Sequence, residues 1–174
     1  MLKAWLRHHL AVFLPDLRLA SVQALSAELL AERRLSFLLL DFDNTLAEWR
    51  AEELAQPLLD WCARMRSAGF SLCLVSNASR RRLQRHADRL GIECFSRAGK
   101  PSRRALRKAM QKLGGQPHNT AIVGDQLFTD VWAGNRLGIT TVLVTRISTR
   151  EQFWMIPVRW LEIKLLRWLE TPCS

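Results

Sequence analysis

The segment Leu38-Leu39-Leu40-Asp41-Phe42-Asp43-Asn44-Thr45-Leu46 constrains this chain more than any other. An apolar run over 35–40 ends abruptly in two carboxylates, two positions apart. A run this apolar, broken only by Ser36, suits a strand buried on both faces. Side chains alternate along a strand, so residues i and i+2 share one side. Asp41 and Asp43 therefore face the same small volume at the strand's end. Two anions that close repel, unless a cation lies between them or one keeps a proton. Mg²⁺ together with a phosphate answers that need.

A D-x-D pair also occurs in sugar-transfer enzymes and in calcium loops. Asp41, Asp43, Thr45 and Glu52 fall at EF-hand offsets. Leu46 stands where that loop needs Gly, however, and a strand precedes it instead of a helix. The rest of the chain supplies further strand ends in order. The run 71–75 stops at Ser76-Asn77, and the run 120–123 stops at Gly124-Asp125, with Asp130 shortly after. Gly99-Lys100-Pro101 lies between them. Sites in open parallel sheets form at the carboxyl ends of strands. Signals at separate strand ends thus converge on one edge.

The alternation of elements supports such a sheet. Strands are expected at 35–40, 70–75, 92–95, 120–123 and 139–144. Helices are expected at 54–68, 80–90, 102–113 and 127–137. This spacing implies parallel strands joined by right-handed crossovers. The resulting expectation is an α/β, three-layer, Rossmann-like fold without a large cap domain. The gap from Asp43 to Ser76 has room for one crossover helix, and the gap to Lys100 for one helix and a short strand.

The motifs Asp41-Phe42-Asp43-Asn44-Thr45, Ser76-Asn77, Lys100-Pro101 and Gly124-Asp125-Gln126-Leu127-Phe128-Thr129-Asp130 resemble those of the haloacid dehalogenase (HAD) superfamily of phosphohydrolases. Phe13-Leu14-Pro15-Asp16, Gly134-Asn135-Arg136 and Gln152-Phe153-Trp154 are similar to its compact subfamily IIIA branch, the YqeG-type phosphatases. That branch is related to the mitochondrial phosphatidylglycerophosphate phosphatases.

The resemblance implies roles. Asp41 is the expected nucleophile, forming an aspartyl-phosphate. Asp43 is the expected general acid, then the base for water. Ser76 bonds the transferring phosphoryl group, and Lys100 steadies its charge and keeps Asp41 ionised. Asp41, Asp125 and the main-chain carbonyl of Asp43 hold Mg²⁺, with Asp130 orienting that loop. Asn44, Thr45, Asn77, Arg80 and Arg81 are candidate substrate contacts. Ala78 stands where the branch commonly has a second Asn. Arg80-Arg81-Arg82, and Arg97, Arg103 and Arg104 around Lys100, either recognise a second anionic group or form a solvated helix face.

The chain has 174 residues, 26 of them Lys or Arg against 16 Asp or Glu, for a net charge of +10. That excess favours anionic partners: phosphates, acidic lipid or nucleic acid. No RNA-binding signature accompanies it, which argues against nucleic acid. Cys62, Cys73, Cys94 and Cys173 show no zinc or C-x-x-C spacing, which suits a reducing cytoplasm. No apolar stretch is long enough to span a bilayer.

Three sections are expected. Residues 1–34 read as amphipathic and helical, broken near Pro15. Residues 35–148 form the phosphatase core. Residues 149–174 hold an apolar and basic helix over 158–169. Its main apolar face is Val158, Leu161, Leu165, Trp168 and Leu169, with Trp160, Ile163 and Leu166 in surplus among Arg159, Glu162, Lys164 and Arg167. That helix packs on the core or meets a membrane or a partner. By resemblance the substrate is phosphatidylglycerophosphate at the inner membrane face. The alternatives are a soluble nucleotide, sugar or protein phosphate, or RNA bound on an idle scaffold. The sequence leaves the oligomeric state open.

Overall fold

Six short strands pair into one sheet in the computed structural model, which describes residues 2–150 and 152–171. They are β1 (Leu17–Leu19), β2 (Phe37–Leu40), β3 (Ser71–Val75), β4 (Glu93–Phe95), β5 (Thr120–Gly124) and β6 (Thr140–Val144). Every pairing is parallel, in the spatial order β1-β6-β5-β2-β3-β4. The chain winds outward from β2 to β3 and β4, then returns to place β5 on β2's other side. The crevice of a doubly wound sheet opens at such a reversal. Here it lies where β2 delivers Asp41 and β5 delivers Asp125.

The helices are α1 (Leu2–Leu10), α2 (Ala27–Glu32), α3 (Gln56–Ser67), α4 (Arg80–Leu90), α5 (Arg104–Leu113), α6 (Trp132–Leu137) and α7 (Met155–Glu170). The alternation along β2 decides the layers. Leu38 and Leu40 face one way and meet Leu30, Leu58, Trp61 and Leu83 of α2, α3 and α4. Leu39 faces the other way, toward Leu106 and Ala109 of α5 and Ala133 of α6. Both β2 faces are fully buried, as an all-apolar run requires. Trp61 spends its indole N–H on the Leu25 carbonyl at 2.9 Å, so its burial leaves no donor unpaired. Gly91, in the left-handed region at φ +64°, ends α4 and turns the chain into β4.

Three expectations need correction. Residues 1–34 are not helical throughout. Leu17–Leu19 pair with Val142, Leu143 and Val144 as an edge strand. Pro15 breaks the helix as expected, but a strand of three residues is too short for alternation to reveal. Second, 127–137 is not one α-helix. Leu127–Val131 form a wider π-type turn, in which both Asp130 and Val131 donate N–H groups to the Gln126 carbonyl, and α6 follows.

Third, α7 is rotated from the expected face: Leu169 is buried and Val158, Leu165 and Trp168 are half-buried as expected, but two charged residues are buried as well. Arg159, Glu162, Leu166 and Leu169 point inward, while Leu161 is exposed. Leu166 packs on Leu127 and Val131. The rotation follows from buried polar partners for Arg159 and Glu162, described below. Cys73 is buried in β3, where desolvation pushes its thiol up to about 12. Cys173 lies outside the described residues. Neither crossover gap carries an inserted domain among the described residues. None of the described helices is long and apolar enough to cross a membrane.

Candidate active site

Asp41 continues the β2 ladder by one residue, donating its N–H to the Val123 carbonyl at 2.9 Å. A tight turn follows, in which the Phe42 carbonyl accepts from Thr45, Leu46 and Ala47. Asn44 takes φ +60° there, a conformation its short amide side chain tolerates. Its amide accepts from the Trp49 N–H at 3.2 Å and donates to the Arg150 carbonyl at 3.1 Å. Asn44 thus ties two loops together at the cleft wall. Thr45 is buried and donates its hydroxyl to Asp125 Oδ1 at 3.2 Å. The structure gives both residues bracing partners, where the sequence offered them as substrate contacts.

Lys100 enters from the β4–α5 loop and is buried. Its Nζ donates to Asp41 Oδ1 and to Asp130 Oδ1, each at 2.6 Å. Asn77 holds the Lys100 backbone at both ends. Its Oδ1 accepts from the Lys100 N–H at 2.9 Å, and its Nδ2 donates to the Lys100 carbonyl at 3.3 Å. The peptide bond from Lys100 to Pro101 is cis. Burial works against the ammonium, but the charges of Asp130 and Asp41 outweigh it and raise the Lys100 pKa above its ordinary value. Ser76 is buried at the end of β3, and its Oγ accepts from the Ala78 N–H at 3.3 Å.

Asp130 reaches Lys100 across Gly124. A Cβ on Gly124 would stand 2.2 Å from the Asp130 carboxyl carbon, so the close approach excludes any side chain there. Burial pushes the Asp130 carboxyl up, against the pull of Lys100. Asp125 is pushed up to about 6, by burial first, with the Arg159 charge opposing. The Arg159 guanidinium bonds both the Asp125 carboxylate and, at 2.7 Å, its main-chain carbonyl. Glu162 accepts from Arg159 at 3.2 Å and from the Phe128 N–H at 2.8 Å. Two charged residues of α7 therefore brace the loop that carries Asp125 and Asp130.

One carboxylate oxygen from each of Asp41, Asp125 and Asp130 lies within 4.8 Å of the others. Three buried carboxylates packed this closely carry more negative charge than Lys100 and Arg159 together cancel. An all-oxygen donor set of this kind suits a hard divalent cation. Asp130 joins the group directly, although the sequence gave it only a supporting place. The Asp43 side chain stands apart from this group and bonds Arg82 through both carboxylate oxygens.

Above this group opens a cleft of about 1080 Å³. Asp41, Asp43, Ser76, Asn77 and Lys100 line one end of it. Arg50, Arg81, Arg82 and Arg85 also line it, but Arg80 does not. Sequence reasoning missed Arg159 and Glu162, and gave Arg82 no role of its own. An oppositely charged pair at i and i+3 on α7 was the available signal for the first two.

A sheet reversal at a lysine-bridged aspartate, with further carboxylates from the β5 loop, defines a class of phosphoryl-transfer site. Residues 4–138 match the family model of haloacid dehalogenase-like hydrolases. The chain belongs to this family, and it is a HAD-type phosphatase. It is 33% identical over 141 residues to the "Probable phosphatase YqeG" of Bacillus subtilis, covering 81% of this chain and 82% of that one. It is 27% identical over 167 residues to "Phosphatidylglycerophosphate phosphatase 1, chloroplastic/mitochondrial" of Arabidopsis thaliana, covering 90% of this chain and 48% of that protein. Among solved structures, the fold is shared with 3-deoxy-D-manno-octulosonate 8-phosphate phosphatase of Yersinia pestis. The TM-score is 0.54 at 13% identity, over 83% of this chain and 86% of that one.

Proposed function

We propose that this chain is a Mg²⁺-dependent phosphomonoesterase that works through an aspartyl-phosphate on Asp41 and acts on phosphatidylglycerophosphate. The observation that carries the chemistry is Lys100, bonded at 2.6 Å to both Asp41 and Asp130 inside the carboxylate group. Lys100 occupies Asp41 Oδ1, which leaves Oδ2 as the attacking oxygen. That oxygen bonds to phosphorus as the bond from phosphorus to the leaving oxygen breaks. For this step the Asp43 carboxyl turns from Arg82 toward the leaving oxygen, takes up a proton there and gives that proton to the leaving oxygen. It then takes a proton from the water that attacks phosphorus, which releases inorganic phosphate and restores Asp41. The Ser76 hydroxyl lies beside the transferring group and bonds its oxygens. Asp41, Asp125 and the Asp43 carbonyl would hold Mg²⁺, with Asp130 beside them, and the ion supplies positive charge against the phosphoryl oxygens.

Two observations support the lipid. The Arabidopsis relative bears that activity in its name. In addition, α7 carries an apolar stripe away from the cleft. Trp154, Met155 and Val158 line the cleft, and Phe153, Ile156, Trp160 and Ile163 stand exposed beyond them, Phe153 by 77% and Trp160 by 62%. Lys164 lies over the Trp160 ring at 5.3 Å. Aromatic and aliphatic side chains interleaved with cations suit an anionic interface, where the helix lies flat.

Phosphate release from phosphatidylglycerophosphate in mixed micelles, with Asp41→Asn alongside, tests the reading. Mg²⁺-dependent release by the parent alone is the expected result. Turnover of soluble phosphates with none of the lipid would overturn the substrate. Equal release by Asp41→Asn would overturn the mechanism.

A further inference from the structure

Beside the catalytic group, a second set of charges lines the cleft wall. Arg81 and Arg85 sit four residues apart on α4, and Arg82 lies between them. This spacing puts them on one side of the helix. Arg50 faces them from the β2–α3 loop. Each of the four is already pre-positioned or solvent-facing in its own way. Arg50 stacks on the Trp49 ring at 4.4 Å, Arg82 lies over Phe42 at 5.4 Å, and Arg85 donates to the Glu52 carbonyl at 2.9 Å. Arg81 is exposed at the cleft rim.

Of these four, only Arg82 has a carboxylate partner among the described residues, Asp43. The other three line the cleft without one. Like charges gathered in a concave wall repel, and the arrangement focuses positive potential on the space between them. An anion there relieves that repulsion, and guanidinium groups suit phosphate oxygens in paired geometry.

We propose that Arg50, Arg81, Arg82 and Arg85 form a second anion subsite, so that the preferred substrate carries another phosphate or phosphodiester a few bonds from the scissile phosphomonoester. This rests on the phosphomonoesterase reading, but not on the lipid. A lipid phosphodiester and a soluble bisphosphate present the same chemistry to these residues. Arg82 links the two ends of the cleft, because the side chain that faces the second anion also holds Asp43.

Calorimetric titration of the parent protein in excess Mg²⁺ tests this, with two inert ligands that share a three-carbon chain. These are propylphosphonate and propane-1,3-diylbisphosphonate. The bisphosphonate is expected to bind about tenfold tighter or better at about 0.15 M salt, where diffuse surface fields are largely screened. In Arg81→Gln/Arg85→Gln the affinity ratio is expected to fall to about one. Arg107→Gln/Lys108→Gln removes the same charge from α5 and should keep the ratio. A purely structural loss would weaken both ligands together and preserve it. A ratio near one in the parent, a ratio retained without Arg81 and Arg85, an equal collapse in the α5 control, or no binding of either ligand would each overturn the subsite. The micelle assay reads the lipid separately. A protein that keeps the ratio but releases nothing from phosphatidylglycerophosphate has the subsite and a soluble substrate.

Discussion

Lys100 and Asp125 carry the sharpest consequences of single side chains. The Lys100 ammonium is the shared counter-charge of two buried carboxylates. Removing one partner from a buried ion pair typically costs about 3–5 kcal/mol, because the remaining charge stays buried. Lys100→Met should therefore lower the melting temperature markedly in EDTA, and added Mg²⁺ should recover part of the loss while turnover stays absent. Asp125 gives a pH dependence whose sign follows from its raised pKa. Its carboxyl is protonated below about 6 in the metal-free fold, and a cation needs it ionised. Mg²⁺ should thus raise the melting temperature more at about pH 7.5 than at about pH 5.5, since stabilisation scales with ligand affinity. An Mg²⁺ shift independent of pH over that range would contradict Asp125 as a ligand. Asp41, Asp43, Ser76, Lys100, Asp125 and Asp130 were legible as residues in the sequence because each ends a strand or opens a loop in a recognisable order. Their pairings were not. Nothing in the spacing tells that Asp43 bonds Arg82, or that Thr45 bonds Asp125 across 80 positions.

At the scale of elements, α7 teaches the most. Its apolar stripe was read as packing on the core or meeting a membrane or a partner; most of that stripe does pack, yet the helix also turns Arg159 and Glu162 inward. A hydrophobic pattern locates a core-facing stripe only when burial is driven by apolar area. Here two charge-assisted contacts to the β5 loop set the rotation, and such partners are invisible until the fold brings them together. Arg159→Met should leave the Asp125 carboxylate and Glu162 without their buried cation. A large loss of stability in EDTA, partly restored by Mg²⁺, is the expected outcome in thermal melts. The outward face makes the opposite prediction. Trp160→Ala/Ile163→Ala removes exposed surface, so stability should change by less than about 0.5 kcal/mol, while flotation with anionic vesicles should fall. Unchanged flotation would leave α7 a bracing helix only. The short edge strand β1 escaped prediction for a related reason. Three residues hold too little pattern, and the ladder with β6 decides their state.

The whole molecule is a sheet that gathers its chemistry at one reversal point. The order of five of the six strands and of their crossovers was readable from apolar runs and their spacing, because a parallel sheet buried on both faces leaves strongly apolar strands. The same order brings β2, β3 and β5 ends together, so the site follows from the topology. The net charge of +10 was readable too, but its partition was not. Folding places four arginines in the cleft and Arg103, Arg104, Arg107, Lys108 and Arg136 around a separate hollow of about 520 Å³ by α5. The central claim is that Asp41 takes the phosphoryl group covalently. Its most direct test is rapid acid quenching of the Mg²⁺-loaded protein during turnover of a phosphomonoester, then borohydride reduction and peptide mass spectrometry. Reduction of an aspartyl-phosphate leaves homoserine, which is predicted at position 41 and at no other aspartate. Homoserine at a different position, or an unmodified Asp41 in protein whose turnover survives Asp41→Asn, would contradict it.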